Sequence, residues 1–94
     1  MNLTDLKKKG FKIVTNWQDC NKNTIFLFDS KNKSKFVNYT NLAIKKKCNF
    51  FICKINLKKY VKKNSINIFF YKNKKELENI VKIFYKFWII IIVK

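Results

Sequence analysis

Apolar positions in this chain come in short bursts separated by polar, lysine-rich stretches, and the spacing within each burst predicts an element. Residues 11–15 (FKIVT) alternate and predict a short strand. A polar turn, QDCNKN, leads to residues 24–28 (TIFLF), a β-branched and aromatic run that predicts a buried strand. Residues 49–54 (NFFICK) and 65–71 (SINIFFY) predict two more strands. Residues 2–9 predict a helix of a turn or two, with Thr4 as N-cap and Gly10 as its stop. Residues 29–35 (DSKNKSK) read as a loop. Over residues 36–47, Phe36, Tyr39, Leu42 and Ala43 share a face at helical spacing. Residues 57–62 predict a helical turn.

The last helix has the clearest pattern. Asn73 precedes Glu76 by three residues, as in a capping box. Leu77, Ile80, Val81, Phe84 and Phe87 then form one apolar stripe. The chain ends FWIIIIVK, and IIIIV has the length of a buried strand, far below the ~18 apolar residues of a membrane span. Strands alternating with helices predict an α/β (or α+β) fold, a small mixed sheet with two main helices.

Composition changes the picture in two ways. All 22 basic residues are lysine, against 5 acidic ones, for a formal charge of +17. Lys, Asn, Ile and Phe share A/T-rich codons, so compositional drift accounts for the lysines. A surface selected to bind phosphate ordinarily uses arginine, whose planar fork binds it bidentately. Such a charge still attracts anionic polymers non-specifically. The three cysteines, Cys20, Cys48 and Cys53, suit a reduced cytoplasmic compartment and small apolar roles, and with no histidine they complete no zinc site. No apolar stretch near Met1 has the form of a signal peptide.

The absence of histidine also removes the Ser-His-Asp and Cys-His nucleophile pairs. Glu76 and Glu78 point to different sides of their helix, and one glycine builds no phosphate-cradling loop. The residues argue for a binding module rather than a catalyst acting alone.

Several segments resemble a known family, the N-terminal domain of the Mur ligases, and within it the UDP-N-acetylmuramoyl-L-alanyl-D-glutamate ligases. Those proteins often open Met-Asn-Leu-x-Asp-Leu, and this chain opens MNLTDL. Their T-L-D-S-R-x-V-x-x-G-D-L-F-V-A segment has VTNWQDCNKNTIFLF (residues 14–28) in its place without a gap. Their Y-I-x-x-A-I-x-x-G-A helix and following strand match YTNLAIKKKCNFFI (residues 39–52). Their next strand and its F-Y helix match residues 66–85. Departures fall on the functional signatures. D-S-R is replaced by Asn16-Trp17-Gln18, D-G-[HR]-x-[FY] by residues 35–39, and the two motif glycines by Asn23 and Lys47.

The resemblance implies a uridine-nucleotide site at Thr15, Trp17, Asn32, Lys33 and Ser34. Trp17 would stack on the uracil face, and Lys33 would meet a phosphate. It implies UDP-N-acetylmuramoyl-dipeptide as ligand, with ATP and magnesium belonging to a following domain and no cofactor in these residues. Residues 1–86 would be the N-terminal-like domain, and residues 87–94 the first strand of that further domain, on an ATP-dependent ligase encoded in part elsewhere. Other readings remain. The uridine-binding domain of UDP-3-O-acylglucosamine N-acyltransferase shares the strand and turn loosely with FLFDSK. A small lysine-rich nucleic-acid-associated protein, using lysines on phosphates and aromatic rings on bases, is a different class of answer.

Overall fold

A computed structural model describes residues 2–28, 32–55 and 66–85. Along the chain run α1 (Leu3–Lys8), β1 (Lys12–Val14), a 3-10 turn (Trp17–Asp19), β2 (Thr24–Leu27), α2 (Lys33–Lys45), β3 (Phe50–Lys54), β4 (Asn67–Tyr71) and α3 (Lys74–Phe84). The α/β class expected from the alternation is the class observed. The four strands form one sheet in the order β1-β2-β3-β4, parallel at every pairing. The helical turn expected over residues 57–62, the strand expected in IIIIV and the boundary at residue 87 lie outside the described residues.

Helix starts differ from the sequence reading at two places, and side-chain capping explains both. Asn2, not Thr4, caps α1, its side-chain oxygen accepting the Asp5 amide at 2.9 Å. Asn32 caps α2, accepting the Lys35 amide at 3.0 Å, so the helix begins inside the expected loop. Asn73 caps α3 as expected, accepting the Glu76 amide at 3.0 Å. The Glu76 carboxylate accepts from the amide of Lys72, one residue earlier than a capping box prescribes, at 2.8 Å. Gly10 ends α1 with φ +87°, a left-handed conformation that glycine adopts without strain.

Among the described residues Lys47 also has a positive φ, at +74°. Its amide donates to the Ile44 carbonyl at 2.9 Å, and the Cys48 amide to the Ala43 carbonyl at 3.2 Å. These are the two bonds of a Schellman cap, and Ala43 and Cys48 meet beneath it in one buried cluster. Glycine is the usual residue at that position.

Side chains alternate across the sheet, as the period of two requires. Ile13, Ile25, Leu27, Ile52 and Tyr71 enter one core with Leu3 and Leu6 of α1 and Val81 of α3. Phe26 and Phe51 point the other way, into a cluster with Cys20, Ala43 and Cys48, and Cys53 pairs with Phe36 beside it. Helices α1 and α3 pack together on the first face, whereas α2 and the 3-10 turn pack together on the second. Right-handed crossovers that step the same way across a sheet must share a face, and the β1–β2 and β2–β3 connections do.

Tyr85, just beyond α3, bonds the outward side of β1, the end strand of the sheet among the described residues. The Lys12 amide donates toward β2, to the Asn23 carbonyl, so the amide and carbonyl of Ile13 point outward. The Ile13 amide donates to the Tyr85 hydroxyl at 3.1 Å, and that hydroxyl lies 3.4 Å from the Ile13 carbonyl oxygen, to which it donates. One phenol thus satisfies both outward backbone groups of the short strand.

Candidate functional site

Because every strand runs the same way, all four carboxyl ends lie on one edge of the sheet, the edge on which parallel α/β folds place ligands. Thr15 directly follows β1, and Phe28 directly follows β2. Between them lies an open groove of about 350 Å³, lined by Thr15, Asn16, Trp17, Gln18, Phe28 and Tyr39. That volume is at the low end of the ~300–1,000 Å³ range of small-molecule sites.

Local bonding fixes the polar wall. The Asn16 side chain accepts the Gln18 amide at 3.0 Å and so starts the 3-10 turn. The turn carries Trp17 onto the groove, where it is half-buried. Lys46, past the end of α2, lays its ammonium 5.7 Å from the Trp17 ring centroid and donates to the Gln18 carbonyl at 2.9 Å. A cation over the indole face and a bond to the backbone tie this wall to α2.

The aromatic wall centres on Phe28. Its ring lies 5.5 Å from that of Phe26 and 6.3 Å from that of Phe36, nearly parallel to both, and 5.1 Å from the tilted ring of Tyr39. The Lys35 ammonium sits 5.8 Å from the Tyr39 centroid. Each side of the groove therefore pairs an aromatic ring with a lysine, an arrangement suited to a flat ring bearing an anionic tail. A second cavity beneath, between Phe26, Phe36, Phe51 and Ile68, holds only about 10 Å³ and has no room for such a ligand.

Of the five residues singled out from the sequence, Thr15 and Trp17 line the groove. Asn32, Lys33 and Ser34 do not; they form the exposed cap and first turn of α2, immediately before Lys35 and Phe36. The sequence reading missed Phe28, Tyr39, Lys35 and Lys46. Phe28 ends a predicted buried strand, but only the parallel pairing of that strand puts its end on the edge where ligands sit. Tyr39 appeared in a helical stripe and in the family-like helix segment but not as a site residue, although it is half-buried and lines the groove. The two lysines carry no local signal, because every exposed stretch contains some.

Among the described residues no group of three or more His, Cys, Asp or Glu is placed to hold a metal ion, and no helix is long and apolar enough to cross a membrane. No protein family, curated protein or solved structure matches the chain.

Proposed function

We propose that this chain is a Mur-ligase N-terminal-like domain that binds the uridine nucleotide of UDP-N-acetylmuramoyl-dipeptide in the groove at the ends of β1 and β2, without turnover of its own. One observation carries the reading. Thr15 and Trp17, selected from the sequence alone, share a groove with Phe28 and Tyr39 on the ligand-bearing edge of a parallel sheet. In this reading Trp17 or Tyr39 stacks on the uracil ring, and Lys35 and Lys46, whose ammonium groups lie 5.8 Å and 5.7 Å from the Tyr39 and Trp17 ring centroids, supply the charge for the diphosphate. A lesser support is Lys47: it holds the left-handed cap at the position where the resembled family carries a glycine.

Calorimetric titration with UDP and with UDP-N-acetylmuramoyl-dipeptide tests this. Both should release heat and raise the melting temperature, and Trp17→Ala should weaken binding roughly tenfold or more, as base–aromatic stacks are worth ~1–3 kcal/mol. No heat and no thermal shift at millimolar ligand would end the reading. An oligonucleotide that displaces UDP and stays bound at physiological salt would reassign the groove to single-stranded nucleic acid.

A further inference from the structure

The 3-10 turn that carries Trp17 is three residues long, and its own bonds are local. The Asn16 side chain accepts the Gln18 amide at 3.0 Å, and the Asp19 and Cys20 amides donate to the Asn16 and Trp17 carbonyls at 3.0 and 3.1 Å. Such bonds shape the turn without fixing it against its neighbours, and hydrogen-bond geometry in a 3-10 helix is poorer than in an α-helix. Lys46 reaches into the turn from 28 residues away. Its ammonium donates to the Gln18 carbonyl at 2.9 Å and lies 5.7 Å from the Trp17 ring centroid, so one group holds both the backbone and the indole. The base of that side chain is fixed by the end of α2. The Lys46 amide donates to the Leu42 and Ala43 carbonyls at 3.3 and 3.0 Å, and the amides of Lys47 and Cys48 close the Schellman cap after it. Ala43 and Cys48 are fully buried at its foot. Lys46 itself is exposed and is not one of the six residues lining the groove. Its reach onto the groove runs through Trp17 and Gln18, which are.

We propose that Lys46 is the positioning residue of the groove: anchored by the cap of α2, it holds the Trp17 indole in the pose on which a flat ring stacks. The inference rests on the groove being a binding site with Trp17 in its wall, and it deepens that reading by naming what prepares the wall before a ligand arrives. An indole held beforehand spares the ligand the entropy of ordering it, and the affinity gained in this way does not depend on the ligand's charge. That separates this role from the charge Lys46 offers a diphosphate. A cation acting only on phosphates favours UDP and leaves uridine untouched, whereas a cation acting through Trp17 favours both.

The free chain gives the first readout. With Trp88→Phe in the background Trp17 is the one remaining tryptophan, and its near-ultraviolet circular dichroism reports how firmly the indole is held. Lys46→Met keeps the length of the side chain and removes the ammonium. It should lose most of that signal while the melting temperature stays put, because an exposed cation contributes little to stability, and Lys46→Arg should retain the signal. Titration with uridine, which has no phosphate, gives the second readout. Lys46→Met should weaken uridine binding by about threefold to tenfold, a part of what a base–aromatic stack is worth, and UDP binding by at least as much. The proposal is overturned by an unchanged Trp17 signal, by a signal that falls together with the melting temperature, or by undiminished affinity for uridine. If neither uridine nor UDP binds the unsubstituted chain, the nucleotide reading falls, and the Trp17 signal alone decides whether Lys46 positions the indole.

Discussion

The two faces of the sheet are cut from the same strands and solve different problems. On one face the buried centre is mostly aliphatic, with Ile13, Ile25, Leu27 and Ile52 meeting α1 and α3, two helices that also pack on each other. On the other, Phe26, Phe51 and the cysteines meet α2 and a single 3-10 turn. Two helices side by side close a surface. A helix beside a three-residue turn leaves a gap at one end, and that gap is the groove. Its aromatic lining follows from the same economy, since large flat rings such as Phe28 and Tyr39 cover more of an open face than branched aliphatic chains do. Both faces have a buried core, and among the described residues the open groove lies on the second.

That contrast can be attacked from either side. Ile25 is fully buried on the closed face, so Ile25→Ala should cost ~2–5 kcal/mol, comparable to the whole stability of so small a domain, and abolish the cooperative melt. Phe28→Ala on the groove wall should cost only about 1–2 kcal/mol, since its ring is half-buried, and leave a folded chain without its stacking wall. Equal losses in a urea titration of the two variants would show that the faces do not divide the work as described. A smaller effect is expected at the clasp between them. Tyr85→Phe strips the Ile13 amide and carbonyl of their partner, and the urea midpoint should fall by the equivalent of about 1 kcal/mol. An unchanged midpoint would mean that water serves that edge equally well. The smallest change should be a gain. Lys47→Gly relieves a left-handed lysine at +74°, and should stabilise the chain by roughly 0.5–1 kcal/mol after the entropy cost of glycine. A destabilised variant would show that the lysine side chain contributes more than its backbone strain costs.

How legible these features were depended on the range of the interaction behind them. The capping of α3 by Asn73 was readable because the groups that bond are three residues apart. The start of α2 was not. Asn32 caps a first turn of Lys-Ser-Lys, whose polarity is that of a loop, and the apolar period begins only at Phe36. Thr4 and Asn2 were both acceptable caps for α1 by residue type, and only the bond to Asp5 chose between them. Two of the six residues lining the groove, Thr15 and Trp17, were found, both in the segment that follows strand β1. The rest depended on Phe28, Tyr39 and Lys46 arriving from other segments.

By itself the sequence determined the α/β alternation, the period-two strands with two buried faces, and a chemistry limited to lysines, aromatic rings and thiols. Those properties are local: they follow from residue type and spacing over a few positions. The tertiary structure decided that the strands pair in chain order and all parallel, that Tyr85 bonds the outward backbone of β1, and that Cys20 and Cys48 enter one buried cluster with Trp17 packed against it. An alternating pattern states that a strand has two covered faces but not which neighbour lies at its edge. That choice belongs to crossover direction and to contacts between residues far apart in the chain.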